Sequence, residues 1–513
     1  MRVVFAALHS GYYRNIEPVV RELAARGHHV YLGSERPMPS ALGGDQLVEA
    51  IAAELPTATV GDVPRRDKDS FFLGSKIRLA LDYLRYLEPA YAATDALRQR
   101  AEARSPTGLV WLLNRWPFTT RLGRHALRRF LDKVDHALKP SKALERFLDA
   151  QQPDVLLVTP LVGLVASSQI DLLRAAKRRG IPVGVCVWSW DHLSSKAIIR
   201  DWPDRLFVWN DVQKNEAIEM HGIPASRIVV TGAQNFDRWF DRRPSRDRES
   251  FAREVGLPDA GSYVLWVCSA LLPGSPQEST FVMRWVEGLR SSNDARLRDL
   301  NVLIRPHPSR LKEWEDVEWG RLGRTAFWGG NPVDAQTRDD YFDSLHHSAA
   351  VAGLNTSAFI EAGIVGRPVL AVLPEEFRAN QEGTLHFRYL QTVAGGLLIE
   401  SRNLNDHYAQ LRAMLDGPPA DVLARQRRFV EAFVRPHGLD VNATTVFSDA
   451  VEALGRHAPA AEREPGNALG RLGLTVLSAM ERHGSFRRYI LDDREVRAKL
   501  RRAREEQREV SWI

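Results

Sequence analysis

The chain has 513 residues, too many for one ordinary hydrophobic core, so we expect two domains. Its apolar content of 44%, charged content of 26% and net charge of +6 are typical of a soluble globular protein with a preference for anionic partners. No basic run alternates with stacking aromatics, which argues against a nucleic-acid partner, and no apolar run approaches the ~20 residues of a membrane-spanning helix.

The two cysteines, Cys186 and Cys268, each lie within an apolar run that predicts a strand. This context indicates buried thiols in a reducing compartment, although a disulfide between them stays open. Residues 1–11 combine one arginine with a short apolar run and lack a cleavage-site pattern, so they predict a first strand rather than a signal peptide. We therefore expect a cytoplasmic protein.

The first half of the chain alternates predicted strands with predicted helices. Residues 2–8 form a continuous apolar run, residues 16–27 have helical apolar spacing, and the alternation resumes over residues 153–232. This pattern is typical of a parallel, doubly wound sheet, in which ligands bind at the carboxyl ends of the strands. The loop after the first strand is therefore expected to face a cleft, and it contains His9, Ser10, Gly11 and Tyr12.

Residues 64–150 interrupt this alternation with amphipathic helices in which basic residues outnumber acidic ones. Trp111, Trp116 and Phe118 lie in the connection between these helices. Two interpretations stay open. The segment is either a helical insertion that packs on the sheet with a solvated basic face, or a basic and aromatic face that contacts an anionic membrane or a lipid-linked acceptor.

The second half restarts the alternation after a charged boundary near residue 240, without a sequence repeat. We predict an α/β fold of two Rossmann-like domains that face each other across a cleft, residues 1–240 and 241–457, with the insertion in the first. Residues 458–468 have the composition of a linker. The rest of 458–513 predicts a helical tail that ends in a highly charged helix over 492–510 and packs on the body or contacts a membrane or partner.

Polar residues follow four predicted strands of the second half. Thr356 and Ser357 begin a short predicted helix, and Glu361 lies one turn into it. The unpaired N–H groups of a helix start favour an anion, but a capping serine and a first-turn acid also fit an ordinary helix start. The other three loops contain Ser269, then Arg305 with His307 between two prolines, and then Gln381, Glu382, Gly383 and Thr384. Because the ends of parallel strands meet at one edge, we predict a single nucleotide-diphosphate site there.

The candidates for a general base lie in the first half. They are His9 and the pair Asp191 and His192, beside Trp190. A loop histidine and a structural turn would explain the same residues. Asp339 and Asp340 lie at a predicted helix start, where they are interpreted as caps rather than metal ligands. The sequence therefore predicts no metal and no cofactor.

Together these motifs resemble the GT-B glycosyltransferases. The resemblance rests on the R-P-H-P loop at 305–308, the N-T-S loop at 355–357, and a helix with a glutamate that leads into G-R-P-V. It is nearest in style to capsule and teichoic-acid transferases, including CDP-glycerol glycerophosphotransferases. It covers mainly residues 262–400. The first half matches only in general style, and it has Tyr12 where some of these enzymes have a catalytic histidine after the glycine.

The resemblance implies that His307, Thr356 and Ser357 bind the phosphates of the donor, and that Glu361 binds its ribose. It further implies metal-independent transfer of a sugar or polyol phosphate from a nucleotide-activated donor to a cell-surface glycan or a lipid-linked acceptor. Such an enzyme would work in the cytoplasm or at the inner face of the cell membrane.

Two alternatives stay open on the same fold. One is a non-hydrolysing nucleotide-sugar 2-epimerase, against which the helical insertion argues mildly because an epimerase needs no acceptor platform. The other is a homologue that binds a nucleotide sugar without turning it over.

Overall fold

A computed structural model describes residues 1–36, 44–161, 165–456, 468–494 and 498 of the chain. Within these ranges the chain builds two parallel sheets with helices packed on them. The continuous apolar runs become strands that are buried on both faces, as parallel sheets require. The predicted α/β fold is confirmed, and Cys186 and Cys268 are free, buried thiols.

The first sheet has seven strands in the described part of the chain, all parallel to their neighbours, in the order β3–β2–β1–β4–β5–β6–β7. They are β1 (Arg2–His9), β2 (His29–Arg36), β3 (Ala58–Asp62), β4 (Val155–Thr159), β5 (Val183–Cys186), β6 (Arg205–Val208) and β7 (Ile228–Val230). The strand order reverses between β1 and β4, which is where such sheets open a binding crevice.

The second sheet has six described strands, again all parallel, in the order β10–β9–β8–β11–β12–β13. They are β8 (Tyr263–Val267), β9 (Asn301–Arg305), β10 (Thr325–Phe327), β11 (Ala350–Gly353), β12 (Val369–Val372) and β13 (Ile399–Ser401). Here the order reverses between β8 and β11. The loops after β8, β9 and β11 therefore meet at one edge, as predicted.

The helices occupy the connections and the two ends of the sheets. In chain order they are α1 (Tyr13–Ala25), α2 (Gly44–Glu54), α3 (Lys68–Arg85), α4 (Asp95–Arg104), α5 (Thr107–Leu113), α6 (Arg121–His136), α7 (Lys142–Gln151), α8 (Gln169–Arg178), α9 (His192–Ser195), α10 (Asp211–His221), α11 (Asp237–Asp241), α12 (Arg248–Glu254), α13 (Glu278–Arg290), α14 (Ala295–Arg298), α15 (Ala335–His346), α16 (Ala358–Ile364), α17 (Phe387–Thr392), α18 (Leu404–Leu415), α19 (Ala420–Phe433), α20 (Ala443–Gly455), α21 (Ala468–Glu481) and α22 (Gly484–Phe486). None of these described helices is long and apolar enough to cross a membrane.

The predicted boundary at residue 457 needs one correction. Helix α20, which the prediction places in the second domain, packs on the first sheet through Phe447, Val451 and Leu454. The chain thus crosses back to the first half before its tail. The predicted linker at 458–468 and the charged helix at 492–510 lie almost entirely outside the described residues.

Buried ion pairs fasten the helical insertion to the first sheet. Asp171 on α8 accepts hydrogen bonds from Arg66 at 2.6 Å and from Arg78 at 2.7 Å. Asp135 on α6 accepts from Arg78 at 2.8 Å and from Arg174 at 2.6 Å. Burial alone would raise the pKa of each carboxyl, but the surrounding guanidinium groups hold both pKa values below the usual range.

Candidate functional site

A cleft of about 690 Å³ lies between the carboxyl edges of the two sheets, within the usual size range of small-molecule sites. The first half lines it with residues after β1, β5 and β7, and the second half with the loops after β8, β9 and β11. The insertion also contributes, through Leu97 and Arg100 of α4. The cleft therefore lies where two facing Rossmann-like sheets are expected to bind a ligand.

Thr356 and Ser357 both line the cleft, at the start of α16. The hydroxyl of Thr356 accepts the N–H of Ala358 at 3.3 Å. Ser357 is exposed and makes no capping hydrogen bond, so the interpretation of Ser357 as an ordinary capping residue is wrong. Its hydroxyl is left available to a ligand in the cleft.

His307 also lines the cleft, and its tautomer follows from its contacts. Its Nδ1 accepts the N–H of Ser309 at 3.2 Å, so in the neutral ring the proton lies on Nε2. Burial lowers the pKa of His307, and Arg14 and Arg310 lower it further. At neutral pH His307 therefore offers the cleft a neutral N–H donor rather than a positive charge.

Arg305 and Glu361 face the cleft from β9 and α16 and are connected by Tyr341. The hydroxyl of Tyr341 donates to the carboxylate of Glu361, and the Arg305 guanidinium lies 4.5 Å from the centre of the Tyr341 ring. Burial raises the pKa of Glu361 to about 7, although Arg238, Arg14 and Arg305 oppose that shift. Arg305 is 4% exposed and donates Nη2 to the carbonyl of Gly330 at 2.7 Å, while its Nη1 has no hydrogen-bond partner.

The cleft is strongly cationic, which the sequence did not indicate. Among the described residues, its lining contains two carboxylates, Asp191 and Glu361. Against these stand seven cationic side chains, namely Arg14, Arg100, Lys196, Arg238, Arg242, Arg305 and Arg338. Burial lowers the pKa of Arg14, Arg238 and Arg305, because each charge is held away from water without a full set of partners. Such a lining favours a ligand with several negative charges.

Several predicted donor residues brace the loops instead of lining the cleft. The hydroxyl of buried Ser269 accepts the N–H of Asn355 at 3.2 Å. Gln381 donates to the carbonyls of Leu354 at 2.9 Å and Val372 at 2.7 Å. The other predicted residues of that loop are Glu382, which pairs with Arg402; Gly383, where any Cβ would collide with the backbone of Ala379; and Thr384, which does line the cleft.

Of the three base candidates, Asp191 lines the cleft and the two histidines do not. His192 is fully buried, and neither His9 nor His192 is among the lining residues. The ring of His9 packs against that of Tyr12 at 4.4 Å between centroids, Tyr12 does not line the cleft either, and Ser10 is buried. Of that loop, Gly11 lines the cleft. The prediction of His9 and His192 as bases therefore lacks support from their positions.

Asp191 lines the cleft but is saturated with donors. It accepts hydrogen bonds from Ser189 at 2.5 Å, Ser195 at 2.7 Å and Lys196 at 2.9 Å. Burial would raise its pKa, but Lys196 and the neighbouring donors hold the pKa well below the usual value. A carboxylate so stabilised is a weak proton acceptor, so its position favours organising this wall of the cleft.

One further feature of the wall was not predicted. His386 lies in the cleft lining, 8% exposed, with its ring edge-on to Trp190 at 4.6 Å between centroids. Burial lowers the pKa of His386 to about 4, so its imidazole is neutral at pH 7.

Asp339 and Asp340 are not helix caps: they pair with Arg242 and Arg246, and Asp334 caps α15.

No group of three or more His, Cys, Asp or Glu side chains within the described ranges is arranged to hold a metal ion. No protein-family model matches the chain, and no curated protein matches it.

Solved structures show the fold class. A glycosyltransferase from Rickettsia africae matches with a TM-score of 0.50 at 10% identity, covering 89% of this chain and 99% of its own. The chain therefore has a two-domain α/β fold of the GT-B type. A UDP-GlcNAc 2-epimerase from Neisseria meningitidis, bound to UDP-GlcNAc, is similar with a TM-score of 0.48 at 12% identity over 88% of this chain and 100% of its own. Anabaena HepE in complex with UDP has a TM-score of 0.48 at 11% identity, over 89% and 100%.

Proposed function

We propose that the protein is a glycosyltransferase that moves a sugar or polyol phosphate from a nucleotide diphosphate donor to a glycan or lipid-linked acceptor. The observation that carries this proposal is the cationic cleft between the two sheets, with its excess of arginines over carboxylates. A diphosphate is a ligand of matching charge, and its departure as a leaving group leaves negative charge that fixed cations stabilise. Because these cations are part of the chain, we propose transfer without a metal ion.

The donor side of the cleft has the groups that a nucleotide diphosphate needs. The hydroxyl of Ser357, the Nε2–H of His307 and the guanidinium of Arg305 are donors for phosphate oxygens. The resemblance assigns Glu361 to the ribose. Its carboxylate form would accept hydrogen bonds from both ribose hydroxyls. The four groups come from the ends of two strands, β9 and β11, at the edge of one sheet.

The opposite wall suits a carbohydrate acceptor. Five aromatic side chains from the first half and its boundary line it, namely Trp188, Trp190, Trp209, Phe236 and Trp239. Of these, Trp188 is half-buried, while the other four are buried. An aromatic side chain beside a few fixed polar groups is typical of a small-molecule site. We propose that the acceptor lies against this wall, near Asp191 and His386, whose imidazole is neutral at pH 7.

The reaction test is an incubation with UDP-glucose, UDP-GlcNAc or CDP-glycerol, with and without lipid-linked or glycan acceptors. Transfer that requires the acceptor supports the proposal. Formation of an epimer from a nucleotide sugar alone would instead assign the fold to a 2-epimerase. Donor binding without turnover across the acceptor panel would identify a binding protein.

Replacing His307 by alanine is expected to weaken donor binding about 10- to 100-fold, because a hydrogen bond to a charged group contributes about 1.5–3 kcal/mol. The thermal midpoint should be nearly unchanged, since His307 contacts mainly its own loop. Calorimetric titration with the nucleotide measures the effect. His437→Ala, which removes an exposed histidine bonded to the carbonyl of Val230, is the matched control and should bind normally.

Glu361 is expected to make donor binding depend on pH. Its pKa is raised to about 7, so the carboxylate that accepts the ribose hydroxyls is formed as the pH rises through that value. Affinity for a nucleotide sugar should therefore increase by up to about tenfold per pH unit below the pKa and level off above it. Nucleotide sugars do not titrate in this range, and Glu361→Gln should flatten the profile. An affinity that falls with rising pH would show that repulsion of the diphosphate dominates and would exclude the ribose role.

A further inference from the structure

The exposed large hydrophobic side chains are concentrated on one part of the surface. Of the fourteen that the described residues contain, nine lie within 111–122 and 469–490, namely Trp111, Trp116, Leu122, Leu469, Leu472, Val476, Met480, Tyr489 and Ile490. Trp116 is 82% exposed and Leu122 is 80% exposed. Scattered exposed hydrophobics are ordinary, but a concentration of this kind marks a contact surface.

Helix α21 presents this surface because its other face is already packed. Leu469, Leu472 and Val476 recur at helical spacing on the exposed side. On the opposite side a Cβ added to Gly470 would lie 2.1 Å from the carbonyl oxygen of Lys133, and one added to Gly473 would lie 2.8 Å from Val134. These glycines let α21 approach the backbone of α6 closely, so the apolar stripe is fixed outward.

The two segments form one continuous surface. Gly470 meets Lys133, and Gly473 meets Phe130, so α21 runs antiparallel to α6. The end of α21 that carries Met480 therefore lies near the start of α6. The chain then returns to α5, where Gly108 contacts Ile490 and the hydroxyl of Thr107 donates to the carbonyl of Tyr489 at 2.9 Å. We call this combined face, made by residues 107–136 and 468–491, the tail–insertion face.

The tail–insertion face is also basic. Its two segments contain ten arginines and lysines and three acidic residues. Exposed Arg115 stacks on the Trp111 ring at 4.5 Å, and Arg121, Arg471 and Arg482 are exposed beside the apolar side chains. Apolar and aromatic side chains next to cationic ones fit the interface of an anionic bilayer. There the apolar side chains insert among the acyl chains and the cationic side chains contact the headgroups.

We propose that the tail–insertion face docks the protein onto an anionic lipid bilayer. The proposal uses both ends of the chain: the insertion supplies α5 and α6, and the C-terminal part supplies α21 and residues 484–491. The same insertion lines the cleft through Leu97 and Arg100, so the docking face and the cleft share one helical segment of the chain. Docking stands on this surface alone and does not depend on the transfer reaction.

Flotation of the full-length protein with vesicles tests the proposal. Vesicles that contain phosphatidylglycerol should carry the protein to the top fraction at low salt, whereas pure phosphatidylcholine vesicles should carry much less, and high salt should weaken the binding. The triple variant Leu472→Gln, Val476→Gln and Met480→Gln should lose at least about tenfold in partition, because burial of each aliphatic side chain contributes on the order of 1 kcal/mol.

The matched control replaces three exposed hydrophobics outside the face by glutamine, at Ile218, Leu311 and Val441. It should bind vesicles like the wild type, and thermal melting should show both variants folded. Equal loss in the two variants, or equal binding to neutral and anionic vesicles, would overturn the proposal. So would light scattering that shows a dimer in the wild type and a monomer in the Leu472 variant, because the face would then bind a second copy of the chain.

Discussion

Replacing Asp171 by asparagine is expected to lower the free energy of unfolding by about 3–5 kcal/mol at neutral pH, the usual cost of removing one partner from a buried ion pair. Asp171 is 5% exposed and accepts hydrogen bonds from both Arg66 and Arg78. Without its charge, two buried guanidinium groups lose their shared partner at the junction between the insertion and α8. Urea unfolding followed by tryptophan fluorescence measures the loss.

The control and the pH dependence make this result specific. Asp149→Asn removes a surface ion pair with Arg179 and should leave stability nearly unchanged. The folded-state pKa of Asp171 is lowered, so its contribution is present above the pKa of the unfolded state and is lost as the pH falls through the folded value. The difference between wild type and Asp171→Asn should therefore shrink in acid. A variant as stable as wild type at neutral pH would show that the network does not hold the insertion in place.

Much of the fold follows from features that are local in sequence. A short continuous apolar run that ends at a turn signal, such as residues 302–304 before Pro306, favours a strand buried on both faces, and the loops after such parallel strands open at one edge. The edge strands β3 and β10 were missed because short strands paired on one side need no such run. The sequence also does not specify which elements pack together. The apolar spacing of helix α20 predicts a buried face, but it does not indicate which of the two sheets covers that face.

The candidate site was predictable in its loops but not in its charge. Prolines on both sides of His307 fix a turn at a strand end, and that signal is local. Arg14, Arg238 and Arg338 belong to α1, α11 and α15, and no spacing in the sequence relates them; the fold alone brings them to one cleft. The prediction that Ser269 and Gln381 line the site was wrong for a related reason. A polar residue at a strand end can turn back to satisfy a backbone group, and its direction depends on the path of the loop.

The arginines of the cleft point to a conflict between stability and binding. A guanidinium whose pKa is lowered by burial is less favourably charged in the folded protein than in water. These buried charges therefore lower the stability of the folded state. Such destabilising charges are common at sites where they bind a ligand. Arg305 is the clearest case, because among the described lining arginines it alone has a buried Nη atom without a hydrogen-bond partner.

Replacing Arg305 by methionine is therefore expected to separate the two properties. Donor binding should fall at least about 30- to 1000-fold, since truncating a buried charged partner of an anion costs about 2–4 kcal/mol. The free energy of unfolding should change by less than about 1 kcal/mol, because methionine fills similar volume and the removal of a poorly solvated charge offsets the loss of the hydrogen bond to the Gly330 carbonyl. Calorimetric titration with nucleotide donors and urea unfolding of the unliganded protein measure the two effects.

Arg290 provides the opposite control for this argument. Burial lowers its pKa too, but its guanidinium donates to the carbonyls of Arg298 and Leu300, both at 2.9 Å, and lies outside the cleft lining. Arg290→Met should therefore destabilise the protein, because it leaves those carbonyls without a donor, and should leave donor affinity unchanged. If Arg305→Met were as destabilising as Arg290→Met, with normal donor binding, Arg305 would be a structural residue and the phosphate contact would have to come from the other arginines of the cleft.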